Sequence, residues 1–257
     1  PGMTDGPFLS LTVAPPLARL RIDRADKRNA FRQDMWERLP GLVADASAAA
    51  GVRLLILESA TPGMFCAGAD IAELLERSGD PAWRAANQAA INRAQWELTR
   101  APLPSLAFVD GDCVGGGCGL ALACDLRVAT PRARFGITPA KLGLVYPLHD
   151  TKLLVDLVGP ANAKRMLFTG QLLSAEDALR IGLVDMIADG PDALASAITS
   201  ASPHSTRAAK AMIRRILDGQ AADDDATRTM FADAFEGPDF AEGVRAFVEK
   251  RPPRFAS

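Results

Sequence analysis

Histidine, cysteine and tyrosine are scarce in this chain of 257 residues, which holds two, four and one of them. His149 and His204 are too few for a His-rich metal centre. Cys66, Cys113, Cys118 and Cys124 each stand beside small or apolar residues. Cys113 and Cys118 lie five apart with no second pair following, which is not the spacing of a zinc site. Secreted disulfide scaffolds are shorter and denser in cysteine, so free thiols in a reducing cytoplasm are expected, with no metal. An excess of one charge is missing too: 29 Lys+Arg face 31 Asp+Glu. A basic face for nucleic acid or for an anionic membrane is therefore not expected. No apolar run approaches the ~20 residues of a membrane span. The first residues carry no basic stretch followed by an apolar run, so no secretory signal is expected.

What is present reads as globular. Hydrophobic residues make up 48% and charged residues 23%, which excludes a disordered or fibrous chain. Strand-like segments at Leu17–Ile22, 53–58, Ser105–Val109 and 125–129 alternate with helical ones at 35–50, Pro81–Arg100 and 116–124. This alternation predicts an α/β core. From about residue 150 the pattern turns helical: 151–158, a break at Gly159-Pro160, 161–169 and 174–182. A short strand at 184–187 follows, then helices at Pro203–Leu217, 223–235 and 240–251, the last stopped by Pro252-Pro253. The expected division is a core over 1–200 and a helical region over 201–257.

Two stretches point to chemistry. In Phe65-Cys-Ala-Gly-Ala-Asp-Ile-Ala-Glu73, Gly68 admits close backbone approach and Asp70 suits a helix N-cap. That leaves the Ala69 amide at a helix start, a donor for an anion. The second, Val109-Asp-Gly-Asp-Cys-Val-Gly-Gly-Gly-Cys-Gly119, follows a strand and opens a helix. It fails GxGxxG, because no glycine stands three places after Gly117 or Gly119, and it fails GxxxxGK[ST] for want of a lysine. Unencumbered amides at a positive helix end remain, and these stabilise an oxyanion. No Gly-x-Ser-x-Gly occurs, and Cys118 has no histidine near it in sequence, so a serine or cysteine nucleophile is not expected.

In this order, about 45 residues apart, the two stretches resemble the crotonase (enoyl-CoA hydratase/isomerase) superfamily. Further segments resemble it as well: Arg24–Phe31, Phe135–Gly143, Phe168-Thr-Gly170 with Ala175–Val184, and Phe247-Val-Glu-Lys-Arg251. The resemblance implies a spiral of ββα units, a C-terminal helical trimerisation region, and a homotrimer or a dimer of trimers. It implies an acyl-CoA thioester as substrate, with coenzyme A arriving as part of it and no separate cofactor. The amides of Ala69 and Gly116 would form the oxyanion hole. Arg28, Ala30, Ala67, Asp70, Ile71 and Gly115 would line the substrate. Phe247 and Lys250, read as i and i+3 on one helix face, would reach a neighbouring subunit's ligand.

The departures carry as much weight. Hydratases of this family use two glutamates, and the matching positions here are Gly119 and Pro139. Neither residue has a side chain that exchanges a proton, so ordinary two-glutamate hydration is not expected. The only tyrosine, Tyr146, follows the central loop, with His149 and Asp150 just beyond. Thr138–Tyr146 resembles the same loop of methylmalonyl-CoA decarboxylase, although that enzyme keeps a glutamate where this chain has Gly119. A phenol with an ordinary pKa near 10 donates a hydrogen bond rather than taking a proton. Decarboxylation or isomerisation assisted by Tyr146 is therefore one alternative, and a catalytically silent acyl-CoA binder is another. Asp150 is read as the cap of a helix beginning at Thr151, and His149 as a surface residue.

Overall fold

The computed structural model describes residues 2–255. Its frame is a seven-stranded sheet in the order Gly2–Gly6, Leu9–Ala14, Leu17–Ile22, Leu54–Ser59, Ser105–Val109, Leu126–Ala129, Met186–Ile187. The first three strands pair antiparallel, and every later neighbour is parallel. Parallel strands are covered on both faces, which is why Leu54–Leu57 is an unbroken buried apolar run. Leu55 and Leu57 enter the main core with Leu20, Ile22, Phe31, Trp36, Phe65 and Phe135. Leu54 and Ile56 point the other way, into a smaller core with Leu106, Val128 and Ala195. The helix Asp192–Ser200, which supplies Ala195, is not evident in the sequence.

A second sheet has strands of only two or three residues, in the order Leu173–Ser174, Arg134–Gly136, Asp112–Val114, Met64–Cys66. Three times a long strand of the first sheet gives way to a short strand of the second and then a helix. Leu54–Ser59 leads to Met64–Cys66 and Ile71–Arg77; Ser105–Val109 leads to Asp112–Val114 and Gly116–Ala123; Leu126–Ala129 leads to Arg134–Gly136 and Pro139–Leu142. These are the expected ββα units. The crossing between the first two is tight: at Gly111 (φ 93°) a Cβ would stand 2.3 Å from the Gly63 carbonyl oxygen, so only glycine fits.

The geometry has a direct consequence. Met64–Cys66 and Asp112–Val114 are parallel neighbours, so the segments leaving their C-terminal ends emerge side by side. Those segments are Ala67–Asp70 and Gly115–Gly116.

The helix Leu148–Thr169 is broken at Gly159 (φ 75°, ψ 165°), where the sequence places a break. The last helices are Pro203–Leu217, Asp225–Asp233 and Pro238–Val248. Polar contacts tie them to the core: Lys210 pairs with Asp125 at 2.8 Å, and Arg207 donates to the Val52 carbonyl.

Candidate active site

The helix Gly116–Ala123 begins after Gly115, whose φ of 55° and ψ of −117° no side chain tolerates well. At Gly117 a Cβ would lie 2.5 Å from the Cys66 carbonyl oxygen, so the helix start is pressed onto the neighbouring strand. The Gly116 amide falls in the first helical turn, where no intrahelical acceptor exists. Across from it, Phe31 donates to the Gly68 carbonyl at 2.8 Å and Asp70 donates to the Phe31 carbonyl at 2.9 Å. Strand alternation then turns the Ala69 amide to the opposite side. Neither the Ala69 nor the Gly116 amide has an acceptor among the described residues. They are neighbours: Cβ positions built on Gly68 and Gly116 fall 3.5 Å from the Gly116 nitrogen and 3.9 Å from the Ala69 nitrogen.

Asp70 anchors this edge as the sequence leads one to expect. Its carboxylate accepts from the amides of Ala72 and Glu73 and pairs with the buried Arg24 at 2.6 Å. Burial works against its charge, but the bonds from Glu73 and Arg24 outweigh it and hold the carboxyl below the usual range. Arg24 also donates to the Ala30 carbonyl. Fixed from both sides, the Ala69 amide cannot turn away.

Beyond the amides lies Gly119, and its surroundings were not foreseen. A Cβ there would fall 2.5 Å from Asp150 Oδ1, 2.7 Å from Gln95 Nε2 and 3.0 Å from the Tyr146 hydroxyl. Three polar groups thus occupy the space a glutamate at this position would fill. The Tyr146 hydroxyl donates to the Gly115 carbonyl at 3.1 Å. That carbonyl belongs to the same peptide unit as the Gly116 amide. Burial and the charge of Asp150 raise the phenol well above its ordinary value, so it stays protonated.

Asp150 does not cap a helix. The helix starts at Leu148 with Pro147 at the N-cap position, which moves Asp150 into the first turn and turns its side chain inward. It is 2% exposed, accepts from Gln95 Nε2 at 2.6 Å through Oδ1, and its buried Oδ2 has no partner among the described residues. Burial pushes its pKa up to about 6, against the opposing effect of the Gln95 bond. His149 is half-buried rather than superficial, and its ring packs against Trp96 at 6.0 Å. Pro139 opens the four-residue helix Pro139–Leu142 and brings no carboxylate.

The remaining expected residues divide into two groups. Arg28 has a left-handed backbone (φ 53°), accepts from the Ala67 amide through its carbonyl, and pairs with Asp112 at 3.0 Å. With Ala30, Ala67, Asp70, the half-exposed Ile71 and Gly115 it forms one edge leading to the two amides. Phe247 and Lys250 are elsewhere, and they do not share a helix face. The helix ends at Val248, and Lys250 turns left-handed (φ 55°) as its amide donates back to the Phe247 carbonyl. Arg251, paired with Glu242 at 2.7 Å, folds the chain back before the two prolines. Phe247, 86% exposed, borders a groove with Phe240, Val244 and Phe255.

Gln95 does carry a signal in the sequence, its spacing along the helix. Ala90, Ala94 and Leu98 mark the buried stripe of helix Pro81–Arg100, and Gln95 adjoins that stripe with Thr99 one turn on. A buried amide needs partners: Asp150 takes the Nε2 donor, while Oε1 has none among the described residues. The cysteines offer no nucleophile: all four are buried, and burial pushes Cys66 and Cys124 up to about 12.

The enoyl-CoA hydratase/isomerase family model matches residues 14–257. The chain is 34% identical to crotonyl-CoA hydratase of Syntrophomonas wolfei, covering 94% of this chain and 95% of that protein. To the mitochondrial methylglutaconyl-CoA hydratase of Rattus norvegicus it is 31% identical, with 92% and 78% covered. Among solved structures, an enoyl-CoA hydratase/isomerase family protein from Hyphomonas neptunium superposes with a TM-score of 0.93 at 39% identity, over 97% of each chain.

Proposed function

Because the chain belongs to the enoyl-CoA hydratase/isomerase family and has its crotonase fold, we propose that it transforms acyl-CoA thioesters through an enolate held by the Ala69 and Gly116 amides. The observation that carries this reading is the pair of adjacent amides without acceptors at the ends of two parallel strands. Enolate formation moves negative charge onto the thioester oxygen. Two fixed donors oppose that charge without reorganising, and one such donor is worth on the order of 3 kcal/mol of barrier. The edge formed by Arg28, Ala30, Ala67, Asp70, Ile71 and Gly115 is the path for the pantetheine arm and phosphates. Coenzyme A is then part of the substrate, and no further cofactor takes part.

Ordinary hydration fits poorly, because it needs one group to position water and another to move a proton. The positions of both family glutamates are Gly119 and Pro139, and one carboxyl, Asp150, stands near the first. General acid–base groups contribute about 10²–10⁴ each. Crotonyl-CoA hydration is therefore expected at least about 100-fold below that of a two-glutamate relative, whereas exchange of the thioester α-proton in D₂O proceeds readily. Mass spectrometry of recovered acyl-CoA reads the exchange. Tight acyl-CoA binding with no exchange and no turnover of enoyl- or malonyl-type thioesters would establish a silent binder instead.

The assembly belongs to the same proposal. Phe231, Phe235, Phe240 and Phe247 expose much of their rings along the C-terminal helices. A homotrimer or a dimer of trimers would cover such a face.

A further inference from the structure

The space beside Gly119 is filled from a different part of the chain than the one that supplies the family's acid. Asp150 comes from the first turn of helix Leu148–Thr169, and Gln95 comes from helix Pro81–Arg100. Both meet where the missing side chain would have been, one helical turn beyond the Gly116 amide. Gln95 holds Oδ1 at 2.6 Å, which leaves Oδ2, buried and unpartnered, as the free end of the carboxyl. An unpartnered buried carboxylate oxygen is costly, and such costs are retained at functional sites.

From this convergence we infer that Asp150, oriented by Gln95, is the group that moves the proton at the acyl α-carbon. The inference rests on the enolate reading above and adds its acid/base. The carboxylate takes the α-proton; the C–H pair forms the C1–C2 double bond while the thioester oxygen becomes the enolate oxygen at the Ala69 and Gly116 amides. When the carboxyl first trades that proton for a solvent deuteron, return to the α-carbon gives exchange. Return to the γ-carbon of a β,γ-enoyl thioester shifts the double bond into conjugation. Neither route consumes water or another reactant. One carboxyl suffices for an allylic shift, and Asp150 places one beside Gly119.

The same placement narrows the substrate class. A substrate carboxylate delivered to this point would meet Asp150 across a few ångströms of low-dielectric interior, where like charges repel strongly. The acyl chain is therefore uncharged near the reacting carbons, which turns the site away from malonyl-type acids. Tyr146 keeps its proton on the Gly115 carbonyl and serves as a positioning residue for the Gly116 amide.

The groups that bear on the titration are few. From the loop before the helix it is the Tyr146 phenol, with the Cys118 and Cys113 thiols behind it; helix Pro81–Arg100 presents the uncharged Gln95. His149 sits next in chain but packs on Trp96. A carboxyl at about 6 is ionised, and so able to take a proton, above that pH.

The test uses the full chain with 3-hexenoyl-CoA, following conversion to 2-hexenoyl-CoA and α-deuteration between pH 5 and 9. For the wild type, kcat/KM is expected to rise through about pH 6 and then level off. Asp150→Asn preserves size and the contact with Gln95, and is expected to lose about 10²–10⁴-fold in turnover with acyl-CoA affinity kept. Gln95→Leu removes a bond to the ionised form and is expected to move the inflection to higher pH. Wild-type turnover with Asp150→Asn within threefold of it, or a profile flat from pH 5 to 7 and unmoved by Gln95→Leu, would overturn the assignment while leaving the enolate reading intact. A wild type that neither exchanges nor isomerises any acyl-CoA would overturn both.

Discussion

At the scale of single residues, Tyr146 has a partner other than the one its place in the sequence leads one to expect. It is the only tyrosine and it lies past the central loop, which made it legible. Its proton was expected to face the substrate, yet it is held by the Gly115 carbonyl. A hydrogen bond accepted by a peptide carbonyl polarises that peptide's own N–H, here the Gly116 donor. Tyr146→Phe keeps the ring and removes the bond. Turnover is expected to fall about three- to tenfold, near the ~1 kcal/mol of one neutral hydrogen bond, with KM little changed, because the amide matters most when charge has developed. Steady-state kinetics on the purified variant separates the two constants; an unchanged kcat would return the phenol to packing. Asp150 was legible only as an acid near a helix start. Its burial depends on where the helix begins, and the shift from Thr151 to Leu148 follows from Pro147, which suits the residue ahead of a first turn.

Among the elements, length decided what the sequence revealed. Long runs such as Leu54–Ser59 and Ser105–Val109 carry enough consecutive apolar residues to be read, and their boundaries fall within a residue of expectation. The second sheet has strands too short for any period to register, and it is pinned by glycine and register instead. Leu9–Ala14 alternates as well, with Leu9 and Leu11 inward and Ser10 and Thr12 partly exposed, and Asp5-Gly6-Pro7 and Pro15-Pro16 flank it with turn residues, so it too is legible in the sequence. The site depends on the contact between one of those short strands and the glycine helix. Gly117→Ala would bring a Cβ to 2.5 Å from the Cys66 carbonyl oxygen and 2.7 Å from its Cβ, atoms that cannot rotate aside. The helix start must lift off the strand, separating the Ala69 and Gly116 amides. Overpacking of this kind costs about 1–3 kcal/mol. A lowered melting temperature together with lost turnover is the expected outcome, and calorimetry beside a D₂O exchange assay measures both.

For the whole molecule, the core residues gather one edge and two amides, while Phe247 and Lys250 remain at the far C-terminal helices. In the proposed trimer, any contact of theirs with the ligand is expected to be made across subunits. The ring is 86% exposed, and the chain turns at Lys250 immediately after the helix. Leaving the helix frees the ammonium from a fixed face, so a point charge on a mobile stem replaces the expected i, i+3 pair. Such a charge acts on phosphates through water and is screened by salt. Lys250→Ala is therefore expected to weaken coenzyme A binding about two- to fivefold at low ionic strength, in keeping with the ~0.5–1 kcal/mol of an exposed ion pair. The deficit should shrink toward nothing as salt is raised. Phe247→Ala should weaken binding with little salt dependence, because a ring contributes contact area rather than charge. Titration calorimetry at two salt concentrations, with light scattering to show that each variant keeps its assembly, reads the pair. If both variants bind as the wild type does while remaining assembled, these residues lie outside the ligand's reach and the charge for the phosphates falls to Arg28 on the core edge.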